Sequence, residues 1–144
     1  MKLSTKGRYG LRAMIDIGLN TDDTGCTSIK AIAERQDMSE SYLEQLIASL
    51  KKSGLVKSKR GAQGGYVLQK KADEIRVGDI LRSLEGSLAP VECVVEEVDD
   101  KECGCSRVDC CVTRTVWRQI RDSINEVVDS ISLQDLIDDY KKMI

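Results

Sequence analysis

The stretch Ser41–Leu68, SYLEQLIASLKKSGLVKSKRGAQGGYVL, changes its hydrophobic period halfway along. Up to Leu50 the apolar residues Leu43, Leu46, Ile47 and Leu50 recur at i, i+3, i+4 and i+7, the pattern of a helix that buries one face. Gly54 ends that helix. The chain then alternates through LVKSK and GYVLQ, two short strands joined by RGAQGG in a hairpin. The segment KKSGLVKSKR, residues 51–60, carries five cations and no acid.

Upstream, Ser28 is placed to cap a short helix, IKAIAERQ, with Ile29, Ile32 and Ala33 in one stripe. DMS breaks it, and Ser39 or Ser41 starts the next helix, with Ser41-x-x-Glu44 fitting a capping box. Two short helices about one turn apart, followed by a basic hairpin, make a winged helix-turn-helix pattern. With its apolar stripe turned inward, the second helix leaves Ser41, Glu44, Gln45 and Ser49 outward, where a major groove would meet them. The hairpin supplies phosphate contacts, and Arg60 opens a glycine-rich tip that can approach a narrow groove. The candidate DNA-contacting residues are therefore Ser41, Tyr42, Glu44, Gln45, Lys52, Lys59, Arg60, Gly61 and Gly64.

Working outward, Ser4 or Thr5 caps a first helix to about Leu19, with Leu11, Met14, Ile15 and Leu19 along its apolar face. VGDILRSLEG reads as a short helix closed by Gly86. A long helix spans about Val112 to Ile131, with Val116, Ile120, Ile124, Val127 and Ile131 in register and Trp117 and Val128 beside them. LQDLIDDYKKM closes the chain as a last helix. The fold class expected is mainly α with a small β-hairpin wing. Residues 1–86 would form the winged helix-turn-helix domain, 87–111 a cysteine-rich loop, and 112–144 a dimerisation helix followed by a C-terminal helix. The long helix has more apolar surface than nearby elements to cover it, so a homodimer is expected.

The charge distribution agrees. Residues 1–71 hold 13 Lys and Arg against 7 Asp and Glu, whereas residues 72–144 hold 9 against 17. A basic half suits a polyanion and an acidic half suits another task. No apolar run approaches the roughly 18 residues of a membrane span, and MKLSTKGRYG lacks the apolar core of a signal peptide. Cytoplasmic location is expected. An enzyme is not: there is no His, no Gly-x-Ser-x-Gly, and GAQGG lacks the Lys and Ser/Thr of a phosphate-binding loop.

CGCSRVDCC, residues 103–111, puts four of six cysteines into nine residues, with Cys93 ten residues upstream. A reducing compartment favours metal, cluster or redox roles over structural disulfides. The absence of histidine excludes His-containing zinc and Rieske sites. Open readings are a four-cysteine zinc, an iron–sulfur cluster, or thiols that pair on oxidation. The spacing is poor for a zinc knuckle, and a cluster fits better. Cys26, alone in a loop, receives no role.

STKGRYGLRAM, the 41–68 stretch, VGDILRSLEG and CCVTRTVWRQIRDSINEVVDSISLQDL together resemble the Rrf2 family of transcription regulators over most of the chain. The cysteine segment is similar to that of its iron–sulfur-sensing members. LEGSLAPVEC is similar to its cysteine-metabolism regulators, which lack the cluster cysteines. The resemblance implies a homodimeric repressor on double-stranded DNA that regulates cluster-assembly genes, with one 2Fe–2S cluster per chain. It implies Cys111 as the last ligand and Cys105 as the middle one; the first position has no cysteine at the equivalent spacing, so Cys93 or Cys103 serves there, Cys93 being favoured. The family's histidine ligand falls at Arg114, which has no lone pair to offer. Cys103 or Cys110, or a carboxylate such as Glu102 or Asp109, is left to complete the set, with Cys103 preferred. Nitric-oxide-sensing members place an Asp ligand where this chain has Arg8, which disfavours that reading. Glu44 matches a position that tunes the DNA sequences tolerated. The alternatives carried forward are a cluster-free regulator of cysteine and sulfur metabolism and a structural zinc protein.

Overall fold

The computed structural model describes residues 2–21, 25–96 and 111–144. Among them run α1 (Thr5–Leu19), α2 (Ile29–Gln36), α3 (Glu40–Lys52), β1 (Val56–Lys59), β2 (Gly65–Leu68), α4 (Val77–Glu85), α5 (Thr113–Ser130) and α6 (Leu133–Met143), with single 3-10 turns at Ala72–Glu74 and Glu92–Val94. Helices plus an antiparallel hairpin are the expected fold class, and the helix boundaries follow the caps.

Serine hydroxyls start four helices by accepting from main-chain N–H groups that have no partner inside the helix. Ser4 receives Lys6, Ser28 receives Ala31, Ser39 receives Tyr42 and Ser132 receives Asp135. For α3 this corrects one expectation. Ser39 is the cap and Ser41 lies inside the helix, so Ser41 and Glu44 form no capping box. Ser39 wins because it follows the turn out of α2, where Asp37 takes the left-handed conformation (φ 53°) and the Met38 N–H reaches the Ala33 carbonyl at 3.1 Å.

The core is aliphatic, as a chain without Phe requires. Met14 and Ile17 of α1, Ile32 of α2, Leu43, Ile47 and Leu50 of α3, Val56 of β1 and Ile80 of α4 meet in one buried cluster. Leu133 and Ile137 of α6 join it, so the last helix folds back onto the core of α1 to α4. Main-chain bonds fix that return: Val77 N–H to the Ile131 carbonyl at 2.9 Å, and Leu133 N–H to the Ile75 carbonyl at 2.8 Å.

The hairpin pairs Val56 with Leu68 through Lys59 with Gly65. An isolated bridge, not anticipated from the sequence, braces β2: Thr27 and Tyr66 exchange main-chain hydrogen bonds at 3.0 and 2.8 Å. Gly65 is needed there, because a Cβ would overlap the Thr27 carbonyl.

Also unanticipated is Asp16, a carboxylate on the core side of α1 with 2% of its surface exposed. Arg35 of α2 holds it through Nε to Oδ2 at 2.9 Å and Nη2 to Oδ1 at 2.7 Å, and Gln36 Nε2 donates to Oδ2 at 2.8 Å. The Arg35 Nη2 also donates to the Thr27 hydroxyl at 2.7 Å. These bonds hold the Arg35 guanidinium firmly protonated, above its ordinary range.

Two stability outcomes follow. Asp16→Ala leaves Arg35 and Gln36 without their acceptor and should cost about 2–3 kcal/mol by urea unfolding, less than a fully enclosed pair because Arg35 reaches solvent; a loss near zero would contradict the network. Ser39→Ala should cost about 1 kcal/mol, whereas Ser41→Ala should change stability by less than about 0.5 kcal/mol.

Candidate nucleic-acid interface and thiol site

α3 buries Leu43, Leu46, Ile47 and Leu50 and presents Ser41, Glu44, Gln45, Ala48 and Lys52 to solvent. Ser49, expected outward, is half-buried at the edge of this face, its carbonyl accepting from the Ser83 hydroxyl of α4 at 3.1 Å. The arithmetic of 100° per residue places Ser49 about 60°, a sixth of a turn, from the line through Ser41, Gln45 and Lys52, on the side that α4 approaches.

Tyr42 sits on the flank towards α1. Its ring meets Tyr9 edge-on at 6.0 Å, and its hydroxyl donates to Thr5 at 3.2 Å. The Arg12 guanidinium lies 5.2 Å from the Tyr9 ring centre and donates to Gln36, to its side chain at 3.2 Å and its carbonyl at 3.0 Å. The turn between α2 and α3 is thus pinned at both ends to α1.

The wing stands beside α3. Lys51 Nζ reaches the Ser58 hydroxyl of β1 at 3.3 Å. Lys52, Lys57, Lys59 and Arg60 are exposed, and Gly61 (φ 123°) and Gly64 close the tip through a main-chain bond of 2.9 Å. Gly61 takes a backbone conformation that side chains resist. Below the tip, the Cys26 thiol donates to the Gln63 carbonyl at 3.0 Å. Residues 45–72 contain seven cations and no acid, so α3 and the wing form one positive face broken by Glu44. Such a face suits a duplex, with Glu44 suited to a cytosine amine.

The thiol site is approached from two sides. Cys93 stands in the turn Glu92–Val94, and Cys111 precedes α5, with its Sγ 3.0 Å from the Thr113 hydroxyl. Both are half-buried. Arg114, on the first turn of α5, is 9% exposed and donates from Nε and Nη2 to the Cys93 carbonyl at 3.2 and 3.0 Å. Its own N–H reaches the Cys111 carbonyl at 3.2 Å. Two helical turns on, Arg121 Nη1 donates to the Val94 carbonyl at 3.1 Å. Cys103, Cys105 and Cys110, with Glu102 and Asp109, lie outside the described residues. Among the described residues no three Cys, Asp or Glu side chains form a metal-holding group. The main chains of two cysteines held at Arg114 are compatible with a site that needs thiolate donors from the intervening segment.

α5 is held to α4 by Arg82, which grips Asp129 with both terminal nitrogens at 2.8 Å and Asn125 at 2.9 Å. That grip keeps the Asp129 carboxyl below its usual range. Val112, Val116 and Val127 remain exposed along the helix. Among the described residues no helix is long and apolar enough to cross a membrane.

Comparison with known proteins agrees with this architecture. The Rrf2 family model, described as an iron-dependent transcriptional regulator, matches residues 3–139. The chain is 48% identical over 136 residues to the HTH-type transcriptional regulator CymR of Bacillus subtilis (strain 168), covering 94% of this chain and 89% of that protein. It is 41% identical over 137 residues to the HTH-type transcriptional regulator IscR of Pectobacterium carotovorum (strain PC1), covering 95% and 79%. The solved structure of T. potens IscR superposes with a TM-score of 0.78 at 48% identity, covering 99% of this chain and 90% of that one. These relatives are transcriptional regulators, not enzymes. A winged helix-turn-helix with a basic face, matched along nearly its whole length, makes this chain a member of the Rrf2 family of DNA-binding transcriptional regulators.

Proposed function

We propose that this regulator senses iron–sulfur cluster status and represses the genes of cluster assembly, acting as a cytoplasmic homodimer. The observation that carries the reading is five cysteines within residues 93–111 of a chain without histidine, both ends of that segment meeting at Arg114. Cys93, Cys105 and Cys111, with Cys103 as the fourth thiolate, would hold one 2Fe–2S cluster per chain. When bound, the cluster supplies a redox-responsive, dissociable crosslink between these thiols.

DNA would be read by α3 in the major groove through Ser41, Glu44 and Gln45, with Tyr42 setting the angle of the helix against α1. Lys52 and Lys59 would meet phosphates, and Gly61 and Gly64 would let Arg60 approach the minor groove. The exposed Val112, Val116 and Val127 support pairing of α5 with a second copy, which would double the half-sites read.

A physical route connects the two regions. The segment bearing Cys93 follows directly on Glu85, whose Oε1 accepts from the N–H groups of Ser4 at 3.1 Å and Gly7 at 3.0 Å and from the Ser4 hydroxyl. The carboxylate therefore caps α1, and α1 in turn touches α3 through Thr5 and Tyr42. A displacement of residues 87–96 would be felt at the recognition helix, provided the two forms of the thiol site favour different placements.

The 48% identity to CymR supports a second reading, in which the thiols themselves or a partner protein carry a signal about cysteine and sulfur metabolism. Protein purified without oxygen separates the two. About two iron and two sulfide per chain with visible charge-transfer bands, lost in Cys111→Ser, is expected for the cluster sensor. One zinc without sulfide would indicate a structural metal, and no metal would move the weight to the second reading. For the DNA face, Arg60→Ala should weaken binding similarly across sequences and reduce the salt slope by about 1; an unchanged slope would remove the wing from the interface.

A further inference from the structure

We propose that Arg114 is the positioning residue of the thiol site: a buried guanidinium that ties Cys93 to the start of α5 before anything binds there. The inference rests on the thiol-site reading above and holds whichever thiophilic metal fills the site.

The geometry carries it. Seventeen residues separate Cys93 from Cys111, and a segment of that length must lose conformational freedom to bring its thiols together. Arg114 ties the two described cysteines to one place: its side chain donates to the Cys93 carbonyl, and its N–H makes the first-turn helical bond to the carbonyl of Cys111, three residues before it. Burial makes those bonds matter, because a charged group withdrawn from water is tolerated only when its donors are used. Val94, 2% exposed, and the Arg121 bond to its carbonyl hold the next residue of the same turn against α5. The guanidinium has no lone pair, so Arg114 acts on the site through the backbone that carries the thiols. Lysine would keep the charge but not the two-nitrogen fork aimed at one carbonyl.

The test uses the full-length, reduced, metal-free protein and iodoacetamide, with the alkylation rate of each cysteine read by peptide mass spectrometry. Cys26, held beneath the wing on Gln63, is the internal reference. Arg114→Ala should raise the Cys93 rate by about tenfold, the scale of one lost bond to a charged donor, while the Cys26 rate stays fixed; Arg114→Lys should fall between. An unchanged Cys93 rate overturns the proposal. Should Arg114→Ala raise both thiols together, Arg114→Lys decides, with a rise at Cys93 alone upholding the clamp and any other pattern overturning it. Cobalt(II) titration followed by its thiolate charge-transfer absorbance gives the second readout, in which Arg114→Ala should weaken binding and equal binding counts against the clamp. If the purified protein holds no cluster yet Cys93 still responds, the sensor reading fails and the clamp stands.

Discussion

One buried carboxylate organises the DNA-binding half. Asp16 lies on α1, takes its charge partner Arg35 from α2, and through that same guanidinium reaches Thr27, the residue that pairs with Tyr66 of the wing's second strand. Three elements that are distant in sequence are thereby referred to a single point. Gln36 belongs to the network as well, since its amide serves Asp16 while its carbonyl and side-chain oxygen receive Arg12. An aliphatic core is forgiving about rotation of its helices, because dispersion and burial have little direction. A fork of charged hydrogen bonds is not forgiving, and it fixes the angle at which α2 hands the chain to α3.

A comparable logic governs the other half with different groups. α5 has no buried apolar residue of its own, and its polar hold on the rest of the chain is made mainly by arginines, with Asn125 donating to Glu96 at 2.9 Å. Arg82 reaches up from α4 to Asp129, while Arg121 and Arg114 reach from α5 to the carbonyls of Val94 and Cys93. The apolar side chains of α5 are left half-buried or exposed, the condition expected of a helix whose apolar partner is another molecule. The thiol segment is therefore anchored to the fold by directional bonds at both ends, and Glu85 connects it to the cap of α1.

The helices were legible in the sequence because their punctuation is local. A serine before an apolar period and a glycine after it act within one turn, so Ser4, Ser28 and Gly86 could be read without knowledge of the fold. Ser39 and Ser41 compete for the same role, and the left-handed turn at Asp37 settles the matter in favour of Ser39. Ser49 departs from its expected outward place for a related reason: the inward stripe of α3 is clear, but the width of the outward face depends on how closely α4 approaches, and Ser83 is a residue 34 positions away. Asp16 carried no signal at all. It sits among apolar residues at a position that periodicity alone would assign to the surface, and its partner is 19 residues distant.

By itself the sequence determined the order of elements, the placement of cations on α3 and the hairpin, and the gathering of thiols in a chain without histidine, since each is a property of short spacing and composition. What only the tertiary structure decided is which groups meet: Asp16 with Arg35, Glu85 with the first turn of α1, and Arg114 with the carbonyl of Cys93. Residue type alone shows that Arg114 cannot bind a metal. Its use as a bridge between two cysteine-bearing segments becomes visible only when the chain brings residue 93 to residue 114, because hydrogen bonds act over about 3 Å while sequence separation sets no distance in space.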